Sequence, residues 1–129
     1  KTDLLVASVG GGPLRMFLSE TPTDNHSITV RLRGTTSNIT GIGSRVVLEC
    51  GGRKIVRDLF PANGCFGMAP VEQTIGVGEA TSIDRLSIRW ASGLEQAFEN
   101  VPVDGLVAIK EQHPKPRFIP FKSASDRTN

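Results

Sequence analysis

The amino-acid sequence predicts an all-β chain, folded as an antiparallel β-sandwich or a small barrel of about seven or eight strands. Apolar and polar residues alternate with a period of two in several short runs. No stretch keeps the helical i, i+3, i+4, i+7 pattern for three turns. The chain also has 14 Gly and 8 Pro, which separate short strands as turn residues do.

The strongest alternation lies in residues 27–33 and predicts a strand with one buried face. Residues 45–50 repeat the pattern, and the glycines at 51 and 52 suit the positive φ angles of a tight hairpin turn. Residues 53–60 are then the returning strand. The side chains expected in the core are Ile28, Val30, Leu32, Val46, Leu48 and Cys50, and those expected to face outward are Arg31, Arg33, Arg45 and Glu49.

A second group of strands follows in the C-terminal half. Residues 84–90 alternate, a turn at Ser92-Gly93 leads into a hairpin partner over residues 94–99, and residues 105–110 form a last short strand. The glycine pairs at 41/43 and 76/78 are expected to be tight turns or bulges. In the first of these strands, Leu86, Ile88 and Trp90 are predicted to face inward, and Arg85 and Arg89 outward.

The two ends of the chain differ from this central part. Residues 4–9 and 14–18 predict two strands around a glycine run. That run is interpreted as a hairpin turn and not a nucleotide-binding turn, because Arg15 replaces the third spaced glycine and no helix follows. We therefore divide the chain into residues 1–25 (terminal strands and linker), residues 26–112 (the β-domain) and residues 113–129 (a Pro-rich basic tail, partly disordered).

The net charge of +2 arises from 15 Lys and Arg against 13 Asp and Glu. The excess lies entirely after residue 110, so the basic character belongs to the tail. With Tyr absent and few aromatic residues, the composition disfavours nucleic-acid binding. No uncharged run reaches the roughly 20 residues of a membrane span, and the start at Lys1 suggests a processed or excised piece.

Residue types that carry chemistry are scattered. His26 and His113 lie beside no recognisable nucleophile, and the carboxylates are dispersed over strand ends and turns. Cys50 and Cys65 are too few for a disulfide scaffold or a zinc site. They either form one bridge or leave Cys50 as a buried thiol, which its strand phase favours. We expect no catalytic residues, no metal, no cofactor and no enzymatic activity.

Four outward arginines are the candidate ligand-binding residues. If their strands are neighbours, they form a face that could hold an anionic group through bidentate hydrogen bonds. The alternative is a solvated face paired with Glu49, Glu95 or Glu99. Trp90 could stack on a sugar, but its phase favours packing in the core. The four arginines are Arg31, Arg33, Arg85 and Arg89.

Several motifs occur in an order that resembles the ASPIC/UnbV domain. Residues 30–38 (VRLRGTTSN) and 41–46 (GIGSRV) are similar to its opening signature, and residues 75–78 (IGVG), 84–93 (DRLSIRWASG) and 99–102 (ENVP) to its later motifs. The resemblance runs from about Ser27 to Lys110. Ala91 stands where the family usually has Pro, and residues 65–68 depart from the Ser- and Gln-rich segment expected there.

The resemblance implies structural roles for the motif residues. The glycines permit turns, Asn38 bonds its own loop backbone, and Arg45 pairs with a neighbouring acid. No common catalytic set comes with the family. The motif residues are Gly34, Asn38, Gly41, Gly43, Arg45, Trp90, Ser92 and Gly93.

Residues 3–18 resemble the end of an FG-GAP/VCBS propeller repeat. Asp3 would match the last acidic position of that repeat's calcium loop, but one carboxylate cannot supply the six to eight oxygens that calcium needs, so we expect no bound calcium. Such repeats typically precede ASPIC/UnbV domains in secreted, periplasmic or cell-surface proteins.

The two resemblances together imply a non-catalytic C-terminal interaction or capping module that binds protein or glycan. Its partners would be the parent propeller and, through exposed N-terminal strands, a second copy of the chain. The alternative is an accessory or catalytic domain in a secondary-metabolite pathway of the enediyne type.

Overall fold

The computed structural model describes residues 3–8, 10–60, 62 and 68–121, and within them the chain is all-β, as predicted. Ten strands and no helix occur in this part of the chain. None of it could therefore cross a membrane as a long apolar helix. The strands are β1 (Leu4–Val6), β2 (Arg15–Phe17), β3 (His26–Arg33), β4 (Arg45–Cys50), β5 (Arg53–Asp58), β6 (Gln73–Gly78), β7 (Ser82–Arg89), β8 (Glu95–Pro102), β9 (Gly105–Lys110) and β10 (Arg117–Pro120).

Eight of the strands form two four-stranded sheets. The first sheet has the order β10-β9-β3-β6 and the second β5-β4-β7-β8. All neighbours are antiparallel except β3 and β9, which run parallel. Because β3 and β9 are parallel, their C-terminal ends lie at the same edge of the first sheet. This places the loop after β3 beside the residue that follows β9.

One apolar core lies between the two sheets. Every side chain predicted to face inward is buried, and Trp90 is only 2% exposed. Alternation along each strand explains this, since successive side chains point to opposite faces. The inward side chains of both sheets form a single cluster that includes Ile28 and Val107 from the first sheet and Leu48 and Leu86 from the second.

Two strands of the first sheet, β6 and β10, were not predicted from the sequence. The glycines at 76 and 78 are expected to form a tight turn or a bulge. They lie within β6, and the register with β3 shifts at this point: His26 pairs with Gly78 and Ser27 with Gly76, so Val77 is the extra residue of a bulge. The bulge agrees with the prediction, whereas the strand around it was not predicted. Ile75 and Val77 of this strand are buried. At the other end, β10 lies in the predicted Pro-rich tail and pairs with β9. The tail after residue 121, part of which is predicted to be disordered, lies outside the described residues, as does Cys65.

The hairpin prediction for the N-terminal strands is confirmed. β1 and β2 pair antiparallel, with Leu4 opposite Phe17 and Leu5 opposite Met16. Gly10 and Gly11, between the strands, have φ angles of 104° and 93°, which glycine adopts readily.

Candidate functional site

The four candidate arginines lie on two different sheets. Arg31 and Arg33 are on β3 in the first sheet, whereas Arg85 and Arg89 are on β7 in the second. All four are exposed, as predicted. Because the sheets pack through their inner faces, the outward arginines point away from the sandwich on opposite sides. The condition that their strands are neighbours is therefore not met, and they cannot form one anion-binding face.

On the first sheet, the arginines belong to a groove of about 390 Å³, here called the basic groove. Its centre is Ala108 of β9, which lies directly opposite Arg31 of β3 and Arg117 of β10. Arg33 lies opposite Lys110 in the same register. Since neighbouring strands are about 4.8 Å apart, the small alanine separates two arginines by about 10 Å. Lys115 adds a further cation to the lining, next to the His113 imidazole.

The loop that carries His113 and Lys115 is held in place by hydrogen bonds. The side chain of Gln96 accepts from the Gln112 amide (3.1 Å) and donates to the His113 carbonyl (2.9 Å). His113 Nδ1 lies 3.1 Å from the Lys115 carbonyl oxygen. Pro114 further restricts the backbone. One wall of the basic groove is thus fixed from β8 of the second sheet.

On the second sheet, the arginines line a larger groove of about 540 Å³, here called the balanced groove. The register places a row of small side chains across its middle, and rows of charge on either side. Each cation has an acidic neighbour. Two of them form ion pairs: Arg45 with Asp58 at 2.6 Å and Lys54 with Glu49 at 3.7 Å. The other two lie opposite an acid on the paired strand, Arg85 opposite Glu99 and Arg89 opposite Glu95. The small residues are Val56, Val47, Ser87 and Ala97.

The two grooves therefore differ in charge. Among the described residues, the only ion pair of the basic groove joins Arg31 to Glu72, at 2.6 Å. Arg33, Lys110, Lys115 and Arg117 have no carboxylate within 4 Å in that part of the chain, and the same is true of Arg85 and Arg89. The register makes the difference: Arg85 and Arg89 each lie opposite a glutamate, whereas Arg33 lies opposite Lys110 and Arg117 opposite Ala108. The predicted pairing of arginines with Glu95 and Glu99 matches the strand register of the balanced groove, not of the basic one.

A buried carboxylate, Glu111, organises the loop after β3, which carries the first of the motifs described above. It follows β9, is 1% exposed, and its amide donates to the Arg33 carbonyl (2.9 Å). Its Oε2 accepts the amides of Thr35, Thr36 and Ser37 at 2.7–2.8 Å. Three successive amides converging on one oxygen form an anion-binding nest. Here an internal carboxylate occupies it.

The other oxygen of Glu111 joins this loop to the second sheet. Oε1 accepts the hydroxyls of Ser37 (2.8 Å) and Ser92 (2.5 Å). Ser92 lies in the turn between β7 and β8, and its amide also donates to Ser37 Oγ (3.0 Å). Glu111, Ser37 and Ser92, together with the amides of residues 35–37, are here called the carboxylate clasp. The clasp ties the two sheets together at one end of the sandwich.

The electrostatics of the clasp suit a structural role. Burial alone would raise the pKa of Glu111, but the hydrogen bonds from Ser92, Ser37 and Thr35 outweigh it and hold that pKa well below its usual range. A carboxylate with so low a pKa is a weak base, so the arrangement is poorly suited to deprotonating the Ser92 hydroxyl.

The remaining motif residues also have structural contacts. A Cβ on Gly34 would overlap the backbone oxygens of Ser37 and Asn38, so the loop closes only with glycine there. Asn38 Oδ1 accepts from the amide and hydroxyl of Thr40 (3.0 and 2.7 Å), as predicted for a side chain bonding its own loop.

Arg45 binds Asp58 through two hydrogen bonds, which confirms its predicted acidic partner. Gly41, Gly43 and Gly93 have φ angles of 73°, 88° and 90°, and Trp90 packs in the core.

Away from the clasp and the grooves, the structure shows the surroundings of three further titratable residues, His26, Asp104 and Cys50. At the start of β3, which is the end away from the clasp, His26 Nδ1 lies 2.6 Å from an Asp104 carboxylate oxygen. Burial would raise the pKa of Asp104, but the hydrogen bonds from His26 and the Ser27 amide lower it overall. Cys50 is a buried free thiol whose pKa is raised by desolvation. In residues 3–8, 10–60, 62 and 68–121, no three His, Cys, Asp or Glu side chains are grouped as a metal site requires.

Sequence reasoning missed the clasp, although one signal was available. Val107, Ile109 and Glu111 share the inward phase that begins in β9. A carboxylate in an inward position is buried only when it is hydrogen-bonded or paired. Its partners were not deducible, because they depend on β3 and β9 being parallel neighbours.

Comparison with known families identifies the same region. A family model described as "ASPIC and UnbV" matches residues 34–116, more than half of the chain, and this range contains the clasp and the turn at Ser92-Gly93. No curated protein and no solved structure matches the chain. The chain belongs to the ASPIC and UnbV family.

Proposed function

We propose that this chain is a non-catalytic interaction module of a secreted, periplasmic or cell-surface protein. Its N-terminal hairpin would dock on a parent β-propeller, and its sandwich would bind a protein or a glycan. The observation that carries the proposal is the apolar hairpin β1–β2, whose side chains are exposed on both faces.

The hairpin lacks the burial that its sequence requires. Leu4 and Phe17 lie on one face and Leu5 and Met16 on the other, and each is 55–63% exposed. An isolated two-stranded hairpin is at best marginally stable in water. Strands that are apolar on both faces are typical of sheets covered on both sides. A propeller blade, stacked between neighbouring blades, offers this environment, and the resemblance of residues 3–18 to a propeller repeat supports it.

The clasp supports the non-catalytic part of the proposal. The pKa of its carboxylate is strongly lowered, and groups with perturbed pKa values often mark catalytic sites. Here the perturbation runs toward a weaker base, and every donor comes from the chain itself. The arrangement holds two sheets together and leaves no hydrogen-bonding position of the carboxylate dedicated to a substrate.

The proposal is tested by the association of the chain in solution. We expect the full chain to self-associate at high concentration in light scattering and to bind a hydrophobic dye, because the hairpin is uncovered. Leu5→Ser with Met16→Ser removes the apolar side chains of one face and should weaken both effects without lowering the unfolding midpoint of the sandwich. A chain that stays monomeric and binds no dye contradicts the docking role of the hairpin.

A further inference from the structure

The basic groove has the properties of a binding surface for an extended anionic ligand. Its cations surround a small residue, Ala108, so the floor is open to a ligand lying along β9. Arg33, Lys110 and Arg117 are exposed on three adjacent strands. Arginine presents a planar fork of donors that matches sulfate and carboxylate oxygens.

The groove is also partly preorganised. Arg31 is oriented by Glu72, which receives both its Nε (2.8 Å) and its Nη2 (2.6 Å). The wall that carries Lys115 is fixed through Gln96 and Pro114. Groups held in place before binding lose less conformational entropy when a ligand arrives. The balanced groove, although larger, offers no comparable excess of charge.

The lining residues distinguish between classes of anion. In the part of the chain that the structure describes, no aromatic side chain other than the His113 imidazole lines the basic groove, whereas single-stranded nucleic acids are held largely by stacking on aromatic rings. Its one larger aliphatic lining residue, Ile109, is 1% exposed, so the groove offers little to anchor an apolar side chain of a protein partner. Charge recognition without stacking or apolar anchoring fits a polysaccharide that carries closely spaced acidic groups.

We infer that the basic groove binds an acidic polysaccharide, sulfated or rich in uronic acids, through Arg33, Lys110, Lys115 and Arg117. This inference rests on the proposed function, because it names the ligand class of the interaction module. The salt bridges to the ligand are solvent-exposed, so binding weakens as ionic strength rises.

The test compares two pairs of arginines in the full chain. Arg33→Ala with Arg117→Ala removes two cations from the basic groove, and Arg85→Ala with Arg89→Ala removes the same charge from the balanced groove. The probes are heparin, polygalacturonate, polyglutamate and an oligothymidylate of similar charge, titrated calorimetrically at 50 and 200 mM salt. Unfolding midpoints of both variants establish that they are folded. Lys115→Ala, in the loop, is a second variant that leaves the strands intact.

We expect heparin or polygalacturonate to bind the native chain, more weakly at the higher salt. The Arg33/Arg117 variant should lose at least tenfold in affinity, Lys115→Ala should lose several-fold, and the Arg85/Arg89 variant should stay within about twofold. Equal losses in the two double variants, or no binding of either polysaccharide, overturn the inference. Tighter binding of polyglutamate or the oligonucleotide also overturns it and assigns the groove to another class of partner. These outcomes leave the hairpin experiment untouched, so the proposed docking role stands or fails separately.

Discussion

Ser92→Ala tests whether the clasp stabilises the sandwich. Its hydroxyl donates to the ionised Glu111 carboxylate at 2.5 Å, in a part-buried position. A hydrogen bond to a charged group contributes about 1.5–3 kcal/mol, and the exposure of Ser92 favours the lower end of that range. A loss of about 1.5–2 kcal/mol lowers the unfolding midpoint of a domain this size by about 6–8 °C.

The matched control is Ser82→Ala. Ser82 is also a serine of the β7–β8 hairpin and is exposed, and its side chain makes no hydrogen bond within the described residues. Its substitution should change the free energy of unfolding by less than about 0.5 kcal/mol. Unfolding is followed by thermal and urea denaturation of the full chain. Equal unfolding midpoints for Ser92→Ala and Ser82→Ala would refute a stabilising role of the clasp.

Three further predictions follow from the same contacts. The pKa of Glu111 is lowered in the folded state, so its contribution to the free energy of unfolding is fully present above the unfolded pKa of about 4.3 and is progressively lost as pH falls below that value. The difference in urea midpoint between the native chain and Glu111→Gln should therefore shrink from pH 6 to pH 2.5. A difference that stays constant contradicts this prediction. Gly105→Ala should destabilise by about 1–3 kcal/mol, because a Cβ there overlaps the Phe118 ring; Gly76→Ala, with no atom within 4 Å of its Cβ, is the control and should change stability by less than about 1 kcal/mol. In a Cys65→Ser variant, the buried Cys50 should react with a thiol reagent at pH 8 only on unfolding, because burial raises its pKa; rapid reaction of the native protein refutes its burial.

Local structure was largely predictable from the sequence. The alternation in residues 27–33, 45–50 and 84–90 identified strands and their inward side chains, because burial on one face imposes a period of two. Gly51-Gly52 identified a hairpin turn, and both glycines have positive φ. β6 was missed because Gly76 and Gly78 obscured the alternation of Ile75 and Val77.

The arrangement of strands was not predictable in the same way. Nothing in the alternation of β3 and β7 shows that they belong to different sheets, so the division of the four arginines emerged only from the topology. The position of Lys115 and Arg117 was not predictable either: the sequence places them in a basic tail, whereas in the structure they line the basic groove beside β9. The hydrogen-bond partners of Glu111 were not predictable either, because they bring together three segments that are distant in sequence: the loop after β3, the turn after β7 and the end of β9.

The most direct test of the recognition role is the mapping of backbone amide shifts during titration with a sulfated polysaccharide. We expect the perturbed amides to cluster in β3, β9, β10 and the loop around His113, while those of β4, β5 and β7 remain unchanged. Perturbations centred on the balanced groove, or none at saturating ligand, would contradict the assignment of binding to the first sheet.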